Sequence, residues 1–248
     1  MIVGMSGCGK SWVSVVSALN AAFNHDMRVL FISMENGLDS IENRMDAYYS
    51  KVPYGKRRQG NLEFRSYDEY LSKIKGLENE KGDIFIDASG KKTVSDILGL
   101  SEKYQVDLVV VDGAYLVTPS KKGTNNVESL TALAYDFQYA SKAESQEKTA
   151  WLISMQLNPT ATGAAKEMSM NIRNCKEFFI IANTCMTLTA EEKDRLAQRI
   201  KISMGKDRER AGVQLEGGDS YNIFDDKVNM SLEEIPDDWE DEEFEALI

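Results

Sequence analysis

Eight residues near the start of the sequence have the types and spacing needed to hold a phosphate chain. Residues 4–11 read Gly-Met-Ser-Gly-Cys-Gly-Lys-Ser, a complete G-x-x-x-x-G-K-[ST] pattern between a short apolar segment and an amphipathic stretch. In this pattern backbone N–H groups face the phosphates, the lysine reaches the terminal phosphates and the hydroxyl binds Mg²⁺. A glycine-rich turn that matches by chance is the alternative. The pattern predicts a P-loop that binds ATP and Mg²⁺ through Gly4, Ser6, Gly7, Cys8, Gly9, Lys10 and Ser11.

Two acidic residues that follow predicted strands could complete a hydrolytic site. Asp112 ends the apolar run Leu108–Asp112, where a P-loop ATPase places an acid for magnesium. The next residue is Gly113, so a catalytic base must come from elsewhere, and Glu35, just after the strand predicted at Arg28–Ser33, is the candidate. Residues past the carboxyl ends of strands line the ligand crevice of open α/β sheets. The alternatives are a turn aspartate for Asp112 and a helix N-terminal acid for Glu35.

The elements that must position these residues alternate between strands and helices. We predict strands at Met1–Val3, Arg28–Ser33, Asn61–Arg65, Asp83–Asp87, Asp107–Asp112, Ala150–Ser154, Phe178–Ala182, Arg199–Ser203 and Tyr221–Phe224. We predict helices at Lys10–Phe23, Leu38–Ser50, Tyr67–Leu77, Thr93–Tyr104 and Val127–Ser145. The alternation indicates one α/β domain with a mostly parallel central sheet flanked by helices. The last two strands have no helix between them and are expected to form an antiparallel extension.

The acidic charge of the sequence is concentrated at its end. The 248 residues carry a formal net charge of −11, and residues 231–248 contain nine acidic residues and no Lys or Arg. We therefore predict an α/β domain over residues 1–230 and an acidic, disordered tail over residues 231–248. Apolar residues interleaved with acids are typical of tails that dock on a basic protein partner, and a solubilising tail is the alternative.

Composition limits the compartment and the ligands. With 42% hydrophobic residues, the chain can form a substantial core. It contains no apolar run of about 18 residues and no secretory signal, so neither membrane insertion nor export is expected. The cysteines Cys8, Cys175 and Cys185 and the one histidine lack metal-ligand spacing. We expect a cytoplasmic protein without zinc or disulfides, and we assign Cys8 no redox role.

The order of the motifs along the chain resembles the C-terminal ATPase domain of DnaB-type replicative helicases, a RecA-like family with many phage members. The matching segments are GMSGCGKS (Gly4–Ser11), LFISMEN (Leu30–Asn36), LVVVDGAYLV (Leu108–Val117), ISMQLN (Ile153–Asn158) and KISMGKDRERAG (Lys201–Gly212). The resemblance implies a RecA-like P-loop NTPase fold. It also implies a homo-oligomer, a hexameric ring, that hydrolyses ATP between subunits and moves along single-stranded DNA during replication.

The resemblance also assigns roles outside the P-loop. It implies that Glu35 polarises the attacking water and that Gln156 senses the γ-phosphate. Lys206 and Arg208 would reach the neighbouring subunit's site as a pair of cations, which fits the charge stabilisation that phosphoryl transfer needs. The alternatives are a polar strand end for Gln156 and a charged hairpin tip for Lys206 and Arg208.

Two long polar loops would face the channel of such a ring. By the resemblance, Lys121 and Lys122 in residues 118–126 and Lys166 in residues 157–171 bind single-stranded DNA. Lysine contacts to phosphates would give sequence-independent, salt-sensitive binding. Solvated loop lysines are the alternative.

Two other functions agree with the same motifs. One is a RecA-like filament ATPase of recombination, with its base at the position of Glu35. The other is a non-translocating ATP-binding loader or regulator that recruits partners through the acidic tail. The Lys206–Arg208 pair favours the helicase over the first, and turnover stimulated by DNA would separate it from the second.

Overall fold

The chain forms a central β-sheet with helices on both faces. A computed structural model describes residues 1–52, 64–76, 81–158, 171–172, 175–190, 199–208, 220–226 and 231–235. Its strands are β1 (Ile2–Gly4), β2 (Arg28–Ser33), β3 (Asp83–Asp87), β4 (Leu108–Asp112), β5 (Ala150–Gln156), β6 (Thr184–Thr189), β7 (Arg199–Asp207), β8 (Ser220–Asp226) and β9 (Ser231–Ile235). Its α-helices are α1 (Lys10–His25), α2 (Leu38–Ser50), α3 (Phe64–Gly76), α4 (Val94–Tyr104), α5 (Asn126–Ser141) and α6 (Glu177–Ile181). Among these helices none is long and apolar enough to span a bilayer.

The strands of the described residues form one sheet in the order β3-β2-β4-β5-β1-β6-β7-β8-β9. The six strands from β3 to β6 pair in parallel, whereas β7, β8 and β9 continue the sheet in antiparallel pairs. The predicted α/β fold, with a mostly parallel sheet and an antiparallel extension near the C-terminus, is confirmed. The extension needs no crossover helices because antiparallel neighbours can be joined by short turns.

Consecutive residues of the central strands pack on opposite faces of the sheet. Leu30 and Ile32 belong to a core under α4, α5 and α6, whereas Val29 and Phe31 belong to a second core under α1 and α2. All four are fully buried. A parallel strand covered on both faces is apolar at every position, which explains the unbroken apolar runs of β2 and β4.

Two predicted strands are wrong. The sequence predicts a strand at Phe178–Ala182, but Glu177–Ile181 is helix α6, with Phe178 packed against Phe137. A short apolar run has no periodicity that separates a strand from a buried helix, so its tertiary partner decides. The strand predicted at Asn61–Arg65 is also wrong at its end, because Phe64 begins α3; residues 61–63 lie outside the described residues.

Two observed strands are absent from the prediction. Strand β6 reads TCMTLT, too polar to stand out in the sequence, yet it pairs with β1 on one side and β7 on the other. Strand β9 takes up Ser231–Ile235, the first five residues of the segment predicted to be a disordered tail. Antiparallel pairing with β8 joins backbone groups, so an acidic sequence does not prevent it. Residues 236–248 lie outside the described residues.

Candidate functional site

Four strands end at the same edge of the sheet, and their ends carry the predicted chemistry. Register pairs Gly4 of β1 with Gln156 of β5, and Ser33 of β2 with Asp112 of β4. Because all four strands are parallel, the loops that follow them emerge side by side. Such an edge is where open α/β sheets bind ligands.

The P-loop runs from β1 to α1 at this edge and encloses the side chain of Lys10. Gly9 precedes α1 with φ +91°, a left-handed conformation that favours glycine. The Lys10 side chain is 9% exposed, and its Nζ donates hydrogen bonds to the carbonyls of Gly4 at 3.0 Å and Met5 at 2.7 Å. The ammonium group therefore lies inside the loop, where phosphate oxygens could replace these carbonyls as acceptors.

Asp112 lies beside the start of α1 in a polar cluster. Its side chain is 1% exposed and accepts hydrogen bonds from Ser154 Oγ at 2.9 Å and Asn36 Nδ2 at 3.3 Å. The same Asn36 nitrogen lies 3.4 Å from Ser11 Oγ. The predicted magnesium ligands Ser11 and Asp112 are thus brought together on either side of one amide. A hydroxyl and a carboxylate are hard oxygen donors of the kind that Mg²⁺ prefers, so the residues fit the ion.

Glu35 lies on the solvent side of this cluster, where its carboxylate accepts a hydrogen bond from Tyr115 Oη at 3.2 Å. Gly113, at φ +83°, makes the turn that follows β4, and a Cβ added there would lie 3.3 Å from the Glu35 Cβ. Helix α2 begins at Leu38 with Gly37 as its N-cap, so Glu35 lies two residues before the cap. The carboxylate is therefore exposed at the strand-end edge, as a residue that orients water must be.

Arg44 of α2 contacts the Asn36 amide on the side away from Ser11 and Asp112. Its Nη2 donates to Asn36 Oδ1 at 3.5 Å, and its guanidinium carbon lies 4.9 Å from the centre of the Trp12 ring. The backbone of Asn36 is held by Ser33, whose Oγ donates to the Asn36 carbonyl and accepts from its N–H. Residues from α1, α2 and the end of β2 therefore position one amide.

Lys206 and Arg208 lie at the other end of the strands, away from the P-loop. Lys206 pairs with Cys185, three residues before Leu188, which is level with Gly4. The separation along the strands is roughly 10 Å, so the pair lies well away from the P-loop of its own chain. The structure brings Lys10, Ser11, Glu35, Asp112 and Gln156 together at one edge and leaves Lys206 and Arg208 outside this group.

Both cations contact the C-terminal end of α6. Lys206 Nζ donates to the carbonyls of Phe179 at 2.7 Å and Ile180 at 2.8 Å, and Arg208 Nη2 donates to Ile180 at 2.5 Å. Burial, together with repulsion from Arg208, lowers the pKa of Lys206. Carbonyls at a helix end lack intrahelical partners, so the two cations supply missing donors.

Lys121 and Lys122 are exposed in the segment that joins β4 to α5. This segment is tied to α5 at both ends: Ser120 bonds Asp136 through N–H and Oγ, and Thr124 bonds Glu128 in the same way. The hydrogen bonds from Thr124 lower the pKa of Glu128. The two lysines are thus presented on an ordered segment after β4. Lys166 lies outside the described residues.

Four residues of the site escape the sequence-based prediction: Asn36, Arg44, Tyr115 and Ser154. Asn36 and Ser154 lie within the LFISMEN and ISMQLN segments, at or beside a strand end, so position alone could have identified them. Tyr115 also lies within a matching segment, LVVVDGAYLV, three residues after Asp112. Arg44 has no such signal, because a helical arginine is common outside any site.

The chain is similar to helicase ATPase domains in sequence and fold. A family model described as DnaB-like helicase C terminal domain matches residues 1–209. The replicative DNA helicase DnaB of Leifsonia xyli subsp. xyli (strain CTCB07) is 26% identical over 163 residues, which cover 64% of this chain and 34% of that protein. The chain thus spans about a third of the length of this curated relative.

Two solved structures share the fold at 15% sequence identity. One is described as an ATPase domain and gives a TM-score of 0.78, covering 95% of this chain and 84% of that chain. The other, a DnaB-like replicative helicase described with its interactions with primase, gives a TM-score of 0.76, covering 93% and 56%.

Proposed function

The chain belongs to the DnaB-like helicase C-terminal domain family, and we propose that it is the ATP-hydrolysing motor of a replicative DNA helicase. The observation that carries the proposal is the shared edge at which the P-loop, Asp112 and Glu35 meet. A site for a nucleotide with Mg²⁺ needs the P-loop and Asp112, and hydrolysis needs a residue such as Glu35. The curated relative and the two solved structures named above support the same assignment.

The chemistry follows from the residues at this edge. Lys10 and the P-loop N–H groups would bind the phosphates, and Ser11 and Asp112 would hold Mg²⁺, which neutralises charge on the phosphate oxygens when bound. Glu35 would orient the attacking water on the exposed side. Gln156 lies level with the P-loop at the end of β5 and would contact the γ-phosphate. When the γ-phosphate is lost, Gln156 would move and shift the loop that follows it.

We propose that Lys206 and Arg208 complete the site of a neighbouring subunit. Their distance from their own P-loop supports this role, since Lys206 lies roughly 10 Å along the strands from the level of Gly4. A cation supplied in trans raises hydrolysis by roughly 10³–10⁵ in related phosphoryl transfers. This arrangement requires a homo-oligomer, which we propose is a hexameric ring.

We further propose that Lys121, Lys122 and Lys166 bind single-stranded DNA through its phosphates. The exposure of the first two on a segment that follows β4 supports this, because a change at the nucleotide site could reach them through Asp112 and the turn. We propose a cytoplasmic location, and a basic protein partner for the acidic end of the chain.

Steady-state ATP hydrolysis over a range of protein concentrations, with and without single-stranded DNA, tests the proposal. We expect DNA to stimulate turnover and the rate to rise more steeply than linearly with concentration, because each site needs two subunits. Lys10→Ala should abolish nucleotide binding or turnover, whereas Lys75→Ala, at an exposed position of α3, should change neither.

Other outcomes have distinct meanings. Hydrolysis that is slow, indifferent to DNA and proportional to concentration would contradict the motor and favour an ATP-binding loader or regulator. Unchanged hydrolysis in Lys10→Ala would contradict the nucleotide site itself. The filament alternative predicts DNA-stimulated turnover with no unwinding of duplex DNA.

A further inference from the structure

An amide group lies between the two residues proposed to bind magnesium. Asn36 Nδ2 is 3.4 Å from Ser11 Oγ and 3.3 Å from Asp112 Oδ2. The side chain is partly buried, and the Asp112 carboxylate that it contacts is 1% exposed. An N–H donor therefore lies between two oxygens that would face a dication.

The chemistry of the neighbours determines which end of the amide faces inward. An ionised Asp carboxylate can accept but cannot donate a hydrogen bond, so it requires the Asn36 nitrogen. A guanidinium can donate but cannot accept, so Arg44 Nη2, 3.5 Å away, requires the Asn36 oxygen. Turning the amide over would place two acceptors together at one end and two donors at the other.

The inward position of Asn36 is held from three directions. Ser33 bonds its backbone carbonyl and N–H, so the main chain is restrained at the end of β2. Arg44 Nη2 donates to the amide oxygen, 3.5 Å away. Trp12 lies against the Arg44 guanidinium. Arg44 has little freedom to move away, so the amide stays between Ser11 and Asp112.

We propose that Asn36 is a positioning residue that occupies the place of the dication in the free site and competes with it. An amide N–H₂ group has no lone pair to offer a metal, so a dication that binds Ser11 and Asp112 must break both contacts that this group makes. The amide keeps the buried carboxylate hydrogen-bonded without metal and weakens metal binding in return. The inference rests on the proposed ATPase function, since it concerns the same magnesium site.

The binding of a fluorescent ADP analogue in EDTA and in saturating Mg²⁺ tests the competition. The dissociation constant in EDTA divided by the dissociation constant in Mg²⁺ measures how much the ion strengthens nucleotide binding. We expect Asn36→Ala to raise this ratio about tenfold, equal to about 1.4 kcal/mol, the size of one lost charge-assisted hydrogen bond. Affinity in EDTA should stay near that of the wild type. An unchanged or lowered ratio would overturn the proposal, because the amide would then be neutral or would assist the ion.

Asn36→Asp tests the same position with a side chain of equal shape. Its carboxylate would lie beside Asp112, so the variant should melt at a lower temperature than the wild type in EDTA. Added Mg²⁺, without nucleotide, should raise its melting temperature by clearly more than that of the wild type. An equal response in the two proteins would show that the ion does not enter this gap and would overturn the proposal.

Asn24→Ala is the matched control, because Asn24 is exposed near the end of α1 and contacts Asn20. It should leave both the binding ratio and the response to Mg²⁺ unchanged. The two hypotheses fail in different ways. A wild-type protein that binds no nucleotide contradicts the proposed function, while the Mg²⁺ response of Asn36→Asp still decides the role of Asn36.

Discussion

Asp112 shows how much support one buried charge needs. Its side chain is 1% exposed, and Ser154 and Asn36 both donate to it. An ionised carboxylate without such partners would be strongly disfavoured in the interior. Ser154 Oγ in turn accepts from the N–H of Gly113, so the hydroxyl connects β5 to the turn after β4. The carboxylate is therefore held in place at the end of β4 and hydrogen-bonded without a metal.

Tyr115→Phe should slow hydrolysis without weakening nucleotide binding. The tyrosine hydroxyl donates to Glu35 at 3.2 Å and restricts an exposed carboxylate whose proposed role is to orient water, not to bind the phosphates. Loss of this hydrogen bond should lower kcat about three- to tenfold, since it is worth roughly 1 kcal/mol, with KM nearly unchanged. Steady-state kinetics measures both constants.

Tyr139→Phe is the control for this substitution. Tyr139 is 72% exposed on α5, and its hydroxyl should contribute nothing to hydrolysis. If Tyr115→Phe raises KM and leaves kcat unchanged, Tyr115 acts in binding and the positioning role is wrong.

At the scale of the elements, the turn after β4 sets the distance between Asp112 and Glu35. Gly113 has φ +83°, and a Cβ there would lie 3.3 Å from the Glu35 Cβ and 3.5 Å from its nitrogen. We expect Gly113→Ala to lower the free energy of unfolding by about 1–2 kcal/mol, through backbone strain and crowding. It should also lower kcat, because Glu35 must move. Denaturant unfolding and kinetics measure the two effects.

Gly99→Ala is a matched control that should change the free energy of unfolding in the opposite direction. Gly99 lies inside α4, and a Cβ added there would meet nothing within 4 Å. Alanine should stabilise the helix by about 0.5–1 kcal/mol without affecting hydrolysis. If both alanine variants behaved alike, neither backbone conformation nor crowding would explain the result.

A largely buried ion pair joins the end of β3 to the segment before α4. Lys92 Nζ lies 2.9 Å from Asp87 Oδ1, with the Lys92 side chain 9% exposed. Burial acts to raise the pKa of Asp87, but hydrogen bonds from Ser89 and Lys92 outweigh it, so the pKa falls below its ordinary value of 3.8. The pair therefore stabilises the fold above about pH 4, and this contribution is lost as the pH falls through the lowered pKa.

Asp87→Asn should lower the free energy of unfolding by about 2 kcal/mol at pH 7, because it leaves the Lys92 ammonium without its carboxylate. The difference from the wild type should shrink below about pH 4, as Asp87 becomes protonated in the wild type. Asp83→Asn, on the same strand in an exposed pair with Arg28, should change stability by less than about 0.5 kcal/mol. A difference that does not vary with pH would contradict the linkage.

Across the whole molecule, the proposed nucleotide site lies at the carboxyl ends of the parallel strands, and Lys206 and Arg208 lie at the opposite end of the sheet. Subunits that join such unlike surfaces associate head to tail, which closes into rings when the rotation allows. Each hydrolytic site would then combine Glu35 of one subunit with Arg208 of the next.

Mixing two inactive variants tests this shared site. Arg208→Ala and Glu35→Ala should each abolish most hydrolysis alone while keeping nucleotide binding. At a 1:1 ratio, random assembly should restore about one quarter of wild-type turnover, because one interface in four pairs two intact residues. No recovery at any ratio, under conditions in which the subunits exchange, would show that each subunit hydrolyses ATP with its own residues.

The sequence alone determined the α/β class, the P-loop and the family, because glycine spacing, unbroken apolar strands and motif order are local properties that tertiary contacts do not change. It also identified Asp112 and Glu35 as strand-end acids, whose roles as magnesium ligand and catalytic base remain predictions. Tertiary structure decided whether Phe178–Ala182 is strand or helix and whether the polar segment Thr184–Thr189 joins the sheet. It also decided that Asn36 lies between Ser11 and Asp112. These outcomes depend on partners far along the chain, and local residue pattern carries no information about them.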